Sequence, residues 1–417
     1  MTGTATDPAD PAAAAAPVVL RRNRDFTLLW LGQAASQLGS GMSAVAYPLL
    51  VLALTGSAAL AGTLAAAVTA ATVLARYPAG VVVDRCSRRA VLVSCDALRA
   101  VTLAALGIAV LTGHAGFPAV LAAALVEGVC AAFFAPAELA AVRHVVPAPA
   151  VAAAAAGNQA RGHLAGLLGN PAGGVAFGIS AALPFHLDAV SYLVSLLCVA
   201  GIRTPLRAPR RPDPGPDRVS GTEMLAGVRW LWRHRFLRAT LLWSAAVAVV
   251  YSSMGLLVVV LAHQRGAGPG GIGVMLGMGG VGGLLGAVAA PWLLRRLSAR
   301  AVVLGFGWCG AASVGLLLVA GSPWTMGALA AVAYFPAPAL VAGIQARIAT
   351  EAPDALLGRV SSAASQLAAV ATPAGPLLAG LLLGLAGAVA TVWCYASVMV
   401  LLAVVAMASP GLRSGNG

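Results

Sequence analysis

The chain has 417 residues, of which 60% are hydrophobic and only 9% are charged, and its mean hydropathy is +0.89. Soluble domains carry about 25% charged residues, so this composition excludes an ordinary soluble protein and indicates a chain embedded in a lipid bilayer. The formal net charge of +13 comes from 26 basic residues, all of them arginine, against 13 acids. These arginines do not gather on one solvated face, and we therefore expect no nucleic-acid partner.

Twelve stretches of the sequence are long and apolar enough to cross a bilayer, which takes about 20 residues of helix. In chain order they are 27–54, 58–83, 89–112, 117–140, 155–181, 183–203, 237–262, 270–294, 301–320, 323–347, 360–383 and 386–408. Ahead of them, residues 1–20 are rich in alanine and proline and lack the cationic start of a signal peptide, which predicts a disordered tail.

The longest polar interruption divides these spans into six and six. Its first part is rich in proline and charge, which is typical of a linker. Its second part sets apolar residues at helical spacing beside Trp230 and Arg233, which predicts an amphipathic helix on the membrane surface. We therefore expect bundles at 21–204 and 236–409, a cytoplasmic linker at 205–235 and a short tail at 410–417.

The positions of the arginines predict the orientation, because basic residues are in excess in cytoplasmic loops. With the N-terminus inside, nearly all arginines near span ends fall on the inner side, and only Arg265 lies in a predicted outer loop. Abundant alanine, glycine and arginine without lysine is typical of a GC-rich bacterial genome. We therefore expect a multi-pass monomer in the bacterial inner (plasma) membrane, with both termini cytoplasmic.

The two halves echo each other weakly. The segment DRCSRRAVL at 84–92 parallels RRLSARAVVL at 295–304, and each lies between the second and third spans of its half. A six-plus-six parallel repeat is an architecture of secondary transporters. The predicted fold class is an all-α integral membrane protein, with twelve transmembrane helices in two six-helix bundles around a central cavity.

The segment GVVVDRCSRR between spans 2 and 3 matches the G-x-x-x-D-R-x-x-R-R signature of the major facilitator superfamily. The matching residues are Gly80, Asp84, Arg85, Arg88 and Arg89. The stretches 22–42 and 133–142 and the loop ending GRV at 358–360 resemble the bacterial drug, macrolide and siderophore exporters of that family. The similarity covers about residues 21–410. It implies transport of a small molecule by alternating access.

Asp84 lies at the C-terminal end of span 2, where the dipole of its own helix disfavours an anion. It therefore needs a partner elsewhere, and a helix N-terminus is a natural one. The resemblance implies the start of span 11, at 358–362. We predict that this contact is a latch between the halves that holds the outward-facing state, and that Gly80 allows close helix packing there. The alternative is that the charges of this loop only set the topology.

Glu127 is the deepest ionisable residue of the predicted spans, about ten residues from either end of span 4. Ionisable groups inside a membrane are costly and are functional candidates by default. A carboxyl group that gains and loses a proton between conformations would couple transport to the proton gradient. The alternative is a neutral, hydrogen-bonded structural acid.

Three further charges lie near the inner ends of spans 2 and 3. Asp96 and Arg99 are spaced i, i+3 and so share one face of span 3, and Arg76 lies at a similar depth on span 2. We expect the three to neutralise one another in a structural or gating cluster, rather than to bind substrate.

Polar and aromatic residues within the spans are candidates for the wall of the cavity. On span 1 they share a face that is too polar for lipid. In the second half, aromatic and methionine residues would suit apolar substrates. The candidates are Gln33, Gln37, Tyr47, His163, Asn170, Tyr251 and Tyr334.

Span 5 resembles the glycine- and proline-rich antiporter signature of the family, with Asn170 in place of a glycine. The matching residues are Gly157, Gly166, Pro171, Gly173 and Gly174. Glycines permit close helix packing and proline a kink. This resemblance favours export over uptake.

The function predicted from these features is proton-coupled efflux of a lipophilic small molecule such as a drug, an antibiotic or a related natural product. Proton-coupled uptake is the alternative within transport, and a non-transporting membrane sensor or scaffold is the alternative outside it. There is no Walker, HExxH, GxSxG or CxxC motif, and the glycines at 277–283 suit helix packing. We therefore expect no enzymatic activity, cofactor or metal, and only substrate, protons and lipid as partners.

Overall fold

The structure is a computed structural model that describes residues 23–147, 150–206, 228–353 and 356–410, and these residues form a bundle of helices. The first half contains six helices: α1 (Arg24–Thr55), α2 (Ala58–Arg85), α3 (Arg88–Leu111), α4 (Phe117–Val145), α5 (Val151–Ile179) and α6 (Leu183–Ala200). The second half contains α7 (Arg235–Gln264), α8 (Pro269–Arg296), α9 (Ala299–Leu316), α10 (Pro323–Tyr334), α11 (Ala337–Glu351), α12 (Leu357–Val370) and α13 (Ala374–Ala408).

Local sequence sets several of these helix boundaries. The side chains of Asn23 and Ser57 accept hydrogen bonds from backbone N–H groups in the first turns of α1 and α2. Such caps satisfy donors that a helix start leaves unpaired. Gly56 ends α1 in the left-handed conformation, with φ of 64°. The turn between the first two spans is therefore specified by three adjacent positions, Thr55 to Ser57.

The twelve predicted crossings are present. Ten helical segments of the described chain are long and apolar enough to cross a membrane, and one of them, Leu357–Ala408, has 52 residues. At about 1.5 Å per residue, that segment is more than twice the length that a bilayer requires. It breaks at Gly387, whose φ of 79° is non-helical, and so it supplies two spans. The more polar α5, with 29 residues, completes the twelve.

The ends of the predicted domains are described only in part. Residues 1–20 and most of the tail at 410–417 lie outside the described residues, as does 207–227 of the linker. Within the predicted amphipathic helix, residues 228–233 are helical. There Leu231 is buried and Trp232 is 51% exposed.

The halves contact each other mainly through α5 against α8 and α2 against α13. We call the end of the bundle that carries Arg85, Arg88, Arg295 and Arg296 the arginine end. The close contacts lie toward the opposite end: Gly174 of α5 packs directly against the backbone of Pro269 and Gly273. Gly62 of α2 packs in the same way against Gly380. The halves are therefore closed together at the end opposite the arginines.

At the arginine end the corresponding helices are apart. A side chain at Gly80 of α2 or at Gly358 of α12 would meet nothing within 4 Å. The prediction that Gly80 allows close packing is wrong for this conformation, because the inter-half contact of α2 lies at its other end.

Candidate functional site

A central cavity between the two halves has two lobes. The tyrosine lobe, of about 430 Å³, is lined on the first half by Tyr47, Arg99, Glu127 and Tyr192. The methionine lobe, of about 510 Å³, is lined by His163 and Asn170 of α5 and by Met254, Met275 and Tyr334 of the second half. The lobes are joined, since both are lined by Ala44, Gly255 and Leu276. Volumes of about 300–1,000 Å³ suit drug-sized ligands.

Glu127 is the acid of the cavity wall among the described residues. Its carboxylate accepts hydrogen bonds from the hydroxyl of Tyr47 at 2.8 Å and from the hydroxyl of Tyr192 at 3.2 Å. These donors come from α1 and α6, so three helices of the first half position this one carboxyl group. A change in its protonation would therefore alter the contacts among all three helices.

Arg99 lies beside this carboxyl group in the tyrosine lobe. Its guanidinium group stacks over the rings of Phe134 and Tyr192, at 5.3 and 5.1 Å from the ring centres. Its Nε and Nη2 atoms are buried and have no hydrogen-bond partner among the described residues. A buried donor without a partner is costly, so this arginine is held chiefly by its aromatic contacts and by nearby acids.

The predicted cluster of three charges is only partly assembled. Asp96 and Arg99 are both buried on α3, but they form no ion pair within 4 Å among the described contacts. Arg76 is exposed, because it lies on the outward face of α2 with Tyr77. The expectation that Arg76 neutralises the other two is therefore wrong in this conformation.

Of the cavity-lining candidates, Tyr47, His163, Asn170 and Tyr334 line the cavity. Three others do not. Gln33 is 2% exposed and donates to Ser195 of α6, because its face of α1 is turned away from the cavity. Gln37 accepts from Arg161, and Tyr251 donates to the carbonyl of Ala333 behind the ring of Tyr334.

An ion pair that was not predicted from the sequence joins α4 and α5 in the interior of the first half. Arg161 Nη2 lies 2.6 Å from Glu138 Oε1, and the two side chains are 4% and 13% exposed. The same guanidinium group donates to Gln37 of α1 and to Asn158, each at 3.3 Å. The two charges are 23 residues apart on different helices, so only their packing brings them together.

A second buried acid outside the cavity lies on α6. Asp188 is fully buried, and it accepts hydrogen bonds from Ser43 of α1 at 2.6 Å and from Ser191 at 3.0 Å. It lines neither lobe of the cavity. In the sequence it lies near the outer end of span 6, where packing or helix capping is the expected role.

The residues of the signature loop fall into two groups, one in contact with the first half and one exposed. Arg89 donates to the carbonyls of Ile202 and Thr204, and Arg88 lies 3.1 Å from His144. These contacts fix the loop to the first half itself. Asp84 and Arg85 are exposed, and Asp84 has no hydrogen-bond or ion-pair partner among the described residues, as expected where α2 and α12 are apart.

The glycines of the span 5 signature are not equivalent. Gly173 packs against the backbone of Met42, and Gly174 packs against α8 as described above. Pro171 contacts Gly277 of α8. A side chain added at Gly166 would meet nothing within 4 Å, and one added at Gly157 would meet only Trp30 at that distance. The part of the signature near the closed end therefore forms the contact between the halves.

The chain is similar to known transporters over nearly its whole length. The sequence model described as "Major Facilitator Superfamily" matches residues 29–365. The multidrug efflux pump Tap of Mycobacterium tuberculosis is 30% identical over 389 residues, which is 90% of this chain and 91% of that protein. These relatives are transporters, and they come from bacteria.

The fold is shared with solved structures at low sequence identity. A bacterial homologue of the iron transporter ferroportin, solved in its inward-facing state, gives a TM-score of 0.72 at 17% identity. The alignment covers 93% of this chain and 98% of that one. The nucleoside transporter NupG gives a TM-score of 0.70 at 13% identity, with 93% and 99% covered. At these identities the likeness shows the fold alone.

Proposed function

This chain belongs to the Major Facilitator Superfamily and is a multi-pass membrane transporter, and from that premise we propose that it exports a lipophilic small molecule in exchange for protons. The observation that carries the proposal is Glu127, a half-buried carboxyl group in the wall of an otherwise largely apolar cavity. The similarity to the Tap efflux pumps supports export rather than uptake.

The cavity wall suits apolar substrates of varied shape. The second half supplies Met254, Met275 and Tyr334 to the methionine lobe, together with glycines that leave room beside α8. Methionine side chains are flexible and polarisable, so they adapt to different ligands. Contact of this kind gives affinity through buried apolar area and little directional selectivity.

Glu127 is the proposed coupling residue. When its carboxyl group is ionised, it accepts hydrogen bonds from Tyr47 and Tyr192, and so it holds α1 and α6 against α4. When it is protonated, the group loses its negative charge and one oxygen becomes a donor, so its hydrogen bonds from the two tyrosines weaken. Protonation therefore acts on three helices of the first half, and it biases the equilibrium between the two conformations of the transporter.

We place the arginine end in the cytoplasm, on the excess of basic residues in the loops there. In that orientation the described conformation is closed to the outside, and Asp84 is free of the start of α12. The latch proposed from the signature would form when the arginine end closes. Both termini are then cytoplasmic, and the transporter works as a monomer by rocking of its two halves.

Drug accumulation in an efflux-deficient bacterial host tests this function. Cells that express the wild type should accumulate less ethidium, or less of a lipophilic antibiotic from a panel, than cells without the protein. A protonophore should abolish the difference, and so should Glu127→Gln. Higher accumulation with the wild type would indicate uptake and would contradict the proposal.

Two further variants separate coupling from folding. Glu351→Gln, in a carboxyl group that pairs with His234 outside the cavity, should leave export unchanged. Asp84→Ala should reduce export while the protein is still inserted at normal levels, if the latch is required. Normal insertion with wild-type export in Asp84→Ala would show that the loop only sets the topology.

A further inference from the structure

Asp188 is a buried acid that the substrate cavity does not use. It is 0% exposed, and it accepts hydrogen bonds from the hydroxyl groups of Ser43 and Ser191. Among the described residues, no cationic side chain lies within 4 Å of its carboxylate. Acids buried in a membrane protein are costly and are usually retained for function. Packing alone does not explain a carboxyl group at this place.

The position of Asp188 along the membrane normal lies between the closed end and Glu127. Asp188 is five positions after Leu183, where α6 begins, and Glu127 is ten positions after Phe117, where α4 begins. Both helices begin at the end opposite the arginines. At about 1.5 Å per residue, Asp188 lies roughly 7 Å and Glu127 roughly 15 Å from that end.

Hydroxyl groups lead from one acid toward the other. Ser43 donates to Asp188, and one turn away on the same face of α1 the hydroxyl of Ser40 lies 2.8 Å from that of Tyr192. Tyr192 in turn donates to Glu127 at 3.2 Å. No hydrogen bond joins Ser43 to Ser40, which are separated by about 4.5 Å along the helix axis. The hydroxyl of Ser40 also donates to the carbonyl of Ser36, so it has to turn toward Tyr192 before it can pass a proton on.

The other titratable groups around this chain of hydroxyls favour proton transfer from Asp188 toward Glu127 and no further. On the outer side, His186 lies on α6 with its ring against Gly107 of α3. Tyr47 and Tyr192 face Asp188 from α1 and α6, and Glu127 and Arg99 act on it from α4 and α3. Arg99 stays charged, and its unpartnered buried Nε and Nη2 atoms lie beyond Glu127. A fixed positive charge there opposes the passage of a proton toward the arginine end.

We propose that Asp188 is a proton-uptake residue, which takes up protons outside the substrate cavity and supplies them to Glu127 by way of Ser40 and Tyr192 in the wall of the tyrosine lobe. The inference rests on the proposed role of Glu127. The transfer moves one proton from the carboxyl group of Asp188 to the carboxylate of Glu127 by way of the serine and tyrosine hydroxyls, each of which accepts one proton and gives up another. No bond other than O–H bonds is formed or broken.

This route has a consequence for coupling. A proton can enter the route while a substrate still fills the tyrosine lobe, because Asp188 and Ser43 line neither lobe of the cavity. Ser40 and Tyr192, which complete the route to Glu127, are part of the wall of the tyrosine lobe. In the described conformation the interruption between Ser43 and Ser40 separates the two acids. Protons therefore do not leak through while the cavity faces the arginine end. A movement of α1 in the opposite conformation would close the interruption.

Infrared spectroscopy of the protein in sealed proteoliposomes tests the route without a substrate. After a pH step applied to the outer medium, the band of the protonated Glu127 carboxyl group is followed, and Glu127→Gln assigns it. Asp188→Asn and Ser43→Ala should each slow the appearance of this band by about tenfold or more, as expected when a positioned proton donor is lost. Ser191→Ala is the matched control, since it removes the other side-chain donor to Asp188 and should leave the rate unchanged.

Counterflow of radiolabelled tetraphenylphosphonium separates the route from a structural role, because exchange needs no net proton transfer. The two slow variants should keep wild-type counterflow. Should Asp188→Asn fail to fold, Ser43→Ala retains the acid and carries the test. An unchanged rate in Ser43→Ala, or equal slowing by Ser191→Ala, would overturn the route. If no band responds to Glu127→Gln in the first place, the coupling role of Glu127 falls, and this inference falls with it.

Discussion

The two halves of this transporter share a helical plan but differ in what they bury. The first half, 21–204, contains six acids, and four of them lie within its spans; the second half, 236–409, contains two, Glu351 and Asp354. Among the described residues, buried charged side chains occur only in the first half, whereas the buried polar side chains of the second half are serine and threonine. The first half therefore has the means to respond to protons, and the second half offers mainly shape and apolar contact to a substrate.

This asymmetry follows from where a buried charge has hydrogen-bond donors that stabilise it. In the first half, hydrogen-bond donors from neighbouring helices surround Glu127, Asp188 and Glu138. In the second half, Tyr251 and Tyr334 bond to backbone carbonyls, and their rings pack edge to face at 5.4 Å. A charge placed there would have no such partners and would carry its full desolvation cost.

The largest effect should come from breaking the charge pair of the first half. Arg161→Met leaves Glu138 buried without its partner, and we expect a loss of about 3–5 kcal/mol in the free energy of unfolding. Thermal unfolding in detergent, followed by fluorescence, measures it. Arg161→Met combined with Glu138→Leu should recover most of the stability, because a matched apolar pair removes the uncompensated charge. Equal stability of the Arg161→Met variant and the wild type would mean that Arg161 and Glu138 do not form an ion pair in the folded protein.

The contact between the halves gives the next largest effect. At Gly174 a side chain would overlap the backbone of Pro269, so Gly174→Leu should prevent closure of that end and lower export by about tenfold, which corresponds to about 1.4 kcal/mol. Labelling of single cysteines at that end should rise in parallel. Gly178→Leu on the same helix is the control, since nothing lies within 4 Å of that position. Equal loss in both variants would indicate damage to α5 itself.

A smaller and more selective effect should follow a change in the second half. Tyr334→Ala removes a ring from the wall of the methionine lobe, and we expect apparent affinities for bulky substrates to fall by about tenfold or less. The pH dependence of transport should remain that of the wild type. Concentration series of two substrates at several pH values would show this. A shifted pH profile would contradict the conclusion that the first half responds to protons and the second half binds substrate.

The smallest effect is expected at the signature glycine. Gly80→Ala places a methyl group in open space, and it removes a flexible residue from a helix. In the described conformation this should raise stability by about 0.5–1 kcal/mol. A transport assay is the more informative measurement. Loss of export with normal stability would show that α2 needs this glycine when the arginine end closes.

Parts of the site were predictable because they depend on one residue in one span. Glu127 stood out as a carboxyl group in an apolar stretch, and Tyr47 shared a polar face of span 1. Arg161 and Glu138 were missed because each lies near the edge of a predicted span, where a charge is common. Gln33 and Tyr251 were assigned to the cavity because helical spacing gives a face but not the neighbour that this face meets.

The number of spans, their division into two halves and the family were predictable from the amino acids, since these depend on apolar length, on the linker and on a local motif. The packing of the helices was needed to show which polar residues meet: Tyr47 and Tyr192 at Glu127, Arg161 at Glu138, and Ser43 at Asp188. It also decided which end of the bundle is closed. The physical reason is that burial in lipid acts on each helix separately, whereas a hydrogen bond or a close packing contact depends on the relative rotation and depth of two helices.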